Sequence, residues 1–198
     1  IPTVHYIGPQ IWAWRGGRIK KIIKAVSHML VIFPFEEEIY RKAGVPVTYV
    51  GHPLAEMIPL QPDEAAARRT LGLPEDANVV TLMPGSRMGE LKYNTVAFVG
   101  ACKLLLARDR SLRFVAPMAG AKQRQYFLQL IAEAGLQDVE ILLTDGGSHT
   151  AICAADAVLV ASGTASLEVA LYKKPMVIAY KMMRASWEIM RHMGYQPW

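Results

Sequence analysis

Short apolar runs alternate along the chain with longer stretches in which apolar residues recur every three or four positions. The short runs predict β-strands over residues 3–7, 29–33, 47–50, 79–83, 112–116, 139–143, 157–161 and 176–179. The longer stretches predict helices over residues 16–26, 35–43, 63–71, 89–108, 121–134, 149–154, 164–172 and 184–193. Because strands and helices alternate and the strands are apolar throughout, the pattern predicts an α/β fold with a Rossmann-type parallel sheet and helices on both faces.

A proline-rich segment over residues 53–62 interrupts this rhythm, and we interpret it as a linker. It separates residues 1–52, the end of one Rossmann-like domain, from a second such domain over residues 63–181. Residues 182–198 are predicted to begin a crossover helix. Asp63 is expected to cap the first helix of the second domain, and Gly72 to end it.

Composition narrows the class of protein only partly. The 198 residues are 52% hydrophobic, which favours a buried core and argues against disorder. The net charge of +5 suits nucleic acid, anionic lipid or phosphorylated ligands without choosing among them. Cys102 and Cys153 belong to no paired-cysteine motif, so we expect buried free thiols.

The strand over residues 79–83 runs directly into a tight Pro-Gly turn and then a helix. The first turn of a helix has unpaired N–H groups and partial positive charge, so it favours an anion, most often phosphate. Gly85 allows a ligand to come close to the backbone, and Ser86 can donate a hydroxyl hydrogen bond. Arg87 can form a bidentate contact with phosphate oxygens. Glu90 can pair with Arg87 or hold it for the ligand. An ordinary connection with a surface arginine is the alternative.

A second junction of the same kind follows the strand over residues 157–161. Ser162 and Gly163 are small, Thr164 can cap the next helix, and Glu168 can accept hydrogen bonds from two ribose hydroxyls. The apolar neighbours of Glu168 predict a well-buried helix, in which a carboxylate needs partners. A solvated surface glutamate is the alternative. Together the two junctions predict a nucleotide site at the carboxyl edge of a parallel sheet.

Several sequence blocks carry a resemblance to a known family. They are Ile7-Gly8-Pro9-Gln10-Ile11-Trp12-Ala13-Trp14-Arg15, Phe33-Pro34-Phe35-Glu36, Tyr49-Val50-Gly51-His52-Pro53, Leu82-Met83-Pro84-Gly85-Ser86-Arg87 and Ala161-Ser162-Gly163-Thr164-Ala165-Ser166-Leu167-Glu168. In this order and spacing the chain resembles the lipid-A-disaccharide synthase family, inverting glycosyltransferases with the two-domain GT-B fold. The resemblance covers the whole chain, and the Trp-Ala-Trp-Arg block is its most specific part.

The resemblance implies a reaction and two domain roles. The family transfers diacylglucosamine from its UDP-linked form to diacylglucosamine 1-phosphate, giving UDP and a β-1,6-linked disaccharide, the precursor of lipid A. Residues 1–52 would then end the acceptor domain, and residues 63–181 would form the UDP-sugar domain. No Asp-x-Asp motif appears in the sequence, so no metal and no cofactor are expected; Arg87 and a helix N-terminus would replace a divalent cation.

The resemblance also implies roles for individual residues. Gly85, Ser86 and Arg87 would hold the diphosphate, and Glu168 would bind the ribose. The phosphate or sugar side would be lined by Ser162, Gly163, Thr164 and Ala165. A turn after the strand over residues 112–116 would place Pro117 and Met118 near the uracil.

The chain departs from the family in its first half. The family's Gly-Glu-x-Ser-Gly-Asp element and its acidic general base are missing, and the chain stops before the family's closing helices. We therefore expect the general base to lie outside this chain. This piece is expected to bind UDP but to have little or no transferase activity alone.

Two surfaces combine aromatic or apolar residues with basic ones. The first comprises Trp12, Trp14, Arg15, Arg18, Lys20, Lys21 and Lys24. The second comprises Trp187, Ile189, Met190 and Met193 with Lys181, Arg184 and Arg191. Each is either a packed, solvated helix or a surface for acyl chains and anionic headgroups. We expect a cytoplasmic protein, peripheral on the inner face of the inner membrane, with no nucleic-acid partner and with a homodimer or segment swap possible.

His52 lies in a Gly-His-Pro hinge, where it either packs locally or borders a cleft together with Trp14 and Arg15. Two other functions stay open. One is a UDP-N-acetylglucosamine epimerase-like enzyme, and the Trp-Ala-Trp-Arg block argues against it. A non-catalytic basic domain that binds membranes or nucleic acid would show steep salt dependence and no preference for UDP.

Overall fold

The computed structural model describes residues 1–9, 11–12 and 16–192. These residues form two compact units, one spanning Ile1–Pro59 and the other beginning at Leu60. Among them, no helix is both long enough and apolar enough to cross a lipid bilayer.

The first unit contains a three-stranded parallel sheet in the order β1-β2-β3. Its strands are β1 (Val4–Tyr6), β2 (His28–Val31) and β3 (Val47–Tyr49). Its helices are α1 (Ile19–Ala25), which follows a short 3-10 turn, α2 (Pro34–Lys42) and α3 (Pro53–Met57). Met29 and Val31 of β2 pack with Tyr40 of α2 in the core of this unit.

The second unit contains a five-stranded parallel sheet in the order β6-β5-β4-β7-β8. Its strands are β4 (Val79–Met83), β5 (Arg113–Met118), β6 (Leu142–Asp145), β7 (Ala157–Ala161) and β8 (Met176–Ala179). Its helices are α4 (Glu64–Thr70), α5 (Met88–Leu106), α6 (Ala121–Glu133), α7 (Ser148–Ala154), α8 (Thr164–Leu171) and α9 (Arg184–His192). The predicted parallel α/β class is confirmed.

Apolar side chains of β4, β5, α5 and α6 form the main core of the second unit. Leu82, Leu91, Phe114 and Phe127 are buried in it. As predicted, Asp63 caps α4: its Oδ1 accepts the N–H of Ala66 at 2.8 Å. Because β4 lies between β5 and β7, the carboxyl ends of these strands are neighbours at one edge of the sheet.

Three of the predicted elements need correction. The segment over residues 53–62 is not wholly irregular: it contains α3, because His52 caps that helix and Pro53 suits its first position. Strand β5 continues through Pro117 to Met118, which pair with Thr144 and Asp145 of β6, so these residues form no turn. Strand β6 begins at Leu142, since buried Val139 is bonded in a turn to Leu136.

Candidate nucleotide-sugar cleft

A cleft of about 310 Å³ opens at the carboxyl ends of β4, β5 and β7, where α5 and α8 begin. The first junction contributes Gly85, Ser86 and Arg87 to its wall. The remaining predicted residues that line it are Pro117, Met118, Ser162, Gly163, Thr164, Ala165 and Glu168. The structure thus brings the substrate-binding residues predicted for the second unit into a single cleft, as expected for ligands of open α/β sheets.

The first junction is shaped by Gly85, whose φ of +122° disfavours any residue with a side chain. A Cβ at this position would lie 2.6 Å from Oε2 of Glu90. The carbonyl of Ser86 accepts a hydrogen bond from the Gln123 amide at 3.2 Å, which ties the turn to α6. The turn is therefore held from two sides.

Glu90 accepts several hydrogen bonds at the start of α5. Its Oε2 accepts the backbone N–H groups of Ser86 at 2.9 Å and Arg87 at 3.2 Å. Its Oε1 lies 2.9 Å from Nη1 of Arg87. The predicted Arg87–Glu90 pair is thus present, and the 83% exposure of the Arg87 side chain leaves its other donors accessible.

Asn94, which sequence reasoning did not single out, fixes the loop before α5. Its buried side chain donates to the carbonyl of Pro84 at 2.9 Å and accepts the N–H of Lys181 at 2.9 Å. These bonds join the residue after β4 to the second residue after β8. An amide on the inner face of a largely apolar helix was the available sequence signal.

The second junction differs in two details from its prediction. Gly163, not Thr164, is the N-cap of α8, and Thr164 is the first helical residue. The Ser166 hydroxyl donates to the carbonyl of Gly163 at 2.7 Å. Of the residues of α8, only Val169 is fully buried, so the prediction of a well-buried helix is wrong. One face of α8 borders the cleft and solvent instead of core.

Glu168 lies one turn inside α8 with its side chain 20% exposed. Its Oε2 is 3.6 Å from Nε2 of His149, a residue to which the sequence assigned no role. The His149 ring meets Tyr172 edge-on at a centroid distance of 5.8 Å. Burial, with nearby Cys153 and Glu168, raises the pKa of Tyr172, so its phenol stays neutral. At 3.6 Å the contact between His149 and Glu168 is longer than a hydrogen bond, so it does not use up the acceptor capacity of the carboxylate.

The first unit contains three residues that were predicted to border a cleft, namely His52, Trp14 and Arg15. The His52 ring accepts the N–H of Leu54 at 3.2 Å and lies 5.6 Å from the Phe33 ring, which is the local packing role considered for it. Its role at a cleft stays a prediction. Trp14 and Arg15 lie outside the described residues. Among the described residues, no three His, Cys, Asp or Glu side chains cluster closely enough to hold a metal ion.

Comparison with solved structures shows which fold the chain shares. The chain is similar to Anabaena HepE, solved in complex with UDP and glucose, with a TM-score of 0.51 at 18% identity, over 94% of this chain and 54% of that one. It is also similar to ADP-heptose lps heptosyltransferase II of E. coli, with a TM-score of 0.50 at 15% identity, over 84% and 67% of the two chains. The fold is that of GT-B glycosyltransferases.

Sequence comparison identifies the family. The family model for lipid-A-disaccharide synthetase matches residues 1–193. The lipid-A-disaccharide synthase of Aromatoleum aromaticum is 50% identical over 198 residues, which cover 100% of this chain and 51% of that protein. That of Paraburkholderia phymatum is 52% identical over 199 residues, covering 100% and 50%. The chain belongs to the lipid-A-disaccharide synthase family and spans about half the length of these curated relatives.

Proposed function

We propose that the cleft binds the UDP portion of a sugar nucleotide. One observation carries the proposal: in a member of this family, both predicted junctions border a single cleft, which is lined by an exposed arginine and a partly buried carboxylate. Ser86, Arg87 and the N-terminus of α8 offer donors to a diphosphate, and Glu168 offers acceptors to ribose hydroxyls. Pro117 and Met118 supply an apolar wall for the uracil.

The whole enzyme is proposed to transfer diacylglucosamine from its UDP-linked form to diacylglucosamine 1-phosphate. Breaking the bond between sugar and phosphate places negative charge on the departing UDP. Fixed donors directed at that charge lower the barrier, and loss of one such donor typically costs about 3–4 kcal/mol. In this proposal those donors are the N–H groups of Ser86 and Arg87, the Arg87 guanidinium and the N–H groups at the start of α8. The general base comes from outside this chain, which alone has little or no activity.

The proposal also assigns the acceptor domain and a surface that faces the membrane. Residues 1–52 belong to the acceptor domain, residues 53–62 link it to the nucleotide domain over 63–181, and residues 182–198 begin a crossover helix. Trp12, Trp187 and Ile189 are exposed, each close in sequence to basic side chains. Such surfaces suit acylated substrates at the cytoplasmic face of the inner membrane. A homodimer or a segment swap remains part of this proposal.

Thermal unfolding with and without UDP tests the proposed site. UDP at about 100 times its dissociation constant is expected to add about 2.7 kcal/mol to the free energy of unfolding. Arg87→Ala and Glu168→Ala are expected to reduce this gain. Arg69→Ala and Glu133→Ala are matched controls, because both side chains are exposed and neither lines the cleft. An unchanged UDP response in both cleft variants would remove the site assignment.

A further inference from the structure

The side chain of Glu90 is bonded to the same donors that a diphosphate is expected to use. The N–H groups of Ser86 and Arg87 both point at its Oε2, at 2.9 and 3.2 Å. A backbone N–H has one hydrogen and so offers one full-strength hydrogen bond. An anion that uses these N–H groups must therefore take them from Glu90.

The carboxylate lies within the cleft and not on its rim. Glu90 is one of the lining residues, and its side chain is only 17% exposed. The missing side chain at Gly85 leaves the space that Oε2 fills, since a Cβ there would lie 2.6 Å from this oxygen. Because Gly85 has no side chain, the carboxylate of Glu90 can occupy this space.

A carboxylate and a phosphate make similar demands on such a turn. Both bring negatively charged oxygens that accept N–H bonds and pair with a guanidinium. Two such anions cannot occupy the same donors, and close like charges repel each other. Arg87 differs from the N–H groups, because its guanidinium has five donors and can turn from Glu90 to another anion.

We infer that Glu90 is an internal competitor of the diphosphate. Its carboxylate holds the first junction in shape and partly neutralises Arg87, and it withdraws from Ser86 and Arg87 when a nucleoside diphosphate binds. This inference rests on the proposed function of the cleft. It gives Glu90 a role opposite to that of a residue that merely holds Arg87 in place for the ligand.

Calorimetric titration of UDP and of inorganic pyrophosphate into wild type and Glu90→Gln tests the inference. The glutamine keeps an oxygen for the N–H groups but removes the charge. We expect Glu90→Gln to bind both probes about three- to tenfold more tightly, and the gain to shrink at high salt. Glu133→Gln is the matched control, since Glu133 lies outside the cleft lining, and it should leave both affinities unchanged.

Weaker or unchanged binding by Glu90→Gln would overturn the inference. Arg87→Ala separates this failure from failure of the proposed function. If Arg87→Ala weakens UDP binding while Glu90→Gln does not tighten it, the competitor role alone is wrong. If wild type and Arg87→Ala bind UDP equally, the assignment of the cleft itself is wrong.

If Glu90→Gln does not fold, a crystal structure of wild type tests the inference instead. In a crystal structure with pyrophosphate bound, we expect the Glu90 carboxylate to have left Ser86 N and Arg87 N, with phosphate oxygens in its place. A carboxylate still within hydrogen-bond distance of both N–H groups, beside bound pyrophosphate, would overturn the inference.

Discussion

Arg68 and Arg69 are neighbours on α4 with opposite surroundings. Arg68 is buried: its Nε donates to Ala154 O at 3.1 Å, its Nη1 to Glu75 O, and its Nη2 to both carboxylate oxygens of Asp156 at 2.9 and 3.0 Å. Arg69 is exposed and pairs with the Glu75 side chain. Asp156 also accepts the N–H of Val79 at 2.7 Å, so Arg68 fixes the start of β4.

Arg68→Ala is therefore expected to lower the free energy of unfolding by about 1–3 kcal/mol, because it removes a buried side chain and leaves the buried carbonyl of Ala154 without this donor. Arg69→Ala should change it little, since exposed ion pairs contribute little. Urea denaturation of the two variants measures both values. Equal losses in the two variants would contradict this account.

The thiol of Cys102 is buried, and burial raises its pKa to about 12. At pH 8 only about one Cys102 thiol in ten thousand is then ionised in the folded protein, far fewer than for an ordinary cysteine. Iodoacetamide labelling, followed by mass spectrometry, is expected to modify Cys102 only in denaturant.

The same shift has a consequence for stability at high pH. Below about pH 7 the thiol is protonated in both the folded and the unfolded chain. Above that pH the unfolded thiol ionises first, so Cys102 lowers the free energy of unfolding progressively up to about pH 12. Labelling of native protein at the rate of a peptide cysteine would refute the burial of this thiol.

Among the elements, the bounds of β4, β7 and β8 were predicted correctly from their apolar runs. The start of β6 was missed because Val139 is apolar and buried without being in a strand. Helix α3 was missed because proline content masked a helix whose first position accepts proline. A run of apolar residues indicates that a segment is buried. Burial alone does not distinguish a strand from a buried turn.

Asn94 connects elements that are distant in sequence, since it bonds both Pro84 O and Lys181 N. Asn94→Leu keeps a similar volume but leaves these two backbone groups without their partner. We expect a loss of about 1–3 kcal/mol in the free energy of unfolding. We also expect weaker UDP binding, because Pro84 directly precedes Gly85. Chemical denaturation and UDP titration measure the two effects, and full retention of both stability and UDP affinity would contradict this role of Asn94.

At the scale of the molecule, the sequence predicted which residues of the second unit line one cleft. Parallel strands end at one edge, so the residues that follow β4 and β7 had to lie near each other. The i,i+3 pair of Arg87 and Glu90 was predicted, but the contacts of Asn94 and His149 could not be predicted in the same way. They depend on side-chain conformations and on pairs of residues far apart in the chain, which periodicity and local motifs do not report.

The central claim concerns the direction in which a sugar nucleotide lies in the cleft. The proposal places Arg87 at the diphosphate and Glu168 at the ribose. The most direct measurement is the affinity of wild type, Arg87→Ala and Glu168→Ala for UDP and for pyrophosphate. We predict that Arg87→Ala weakens the binding of both ligands, whereas Glu168→Ala weakens that of UDP and not that of pyrophosphate. Equal binding of UDP by all three proteins, or loss of pyrophosphate binding in Glu168→Ala, would contradict the account.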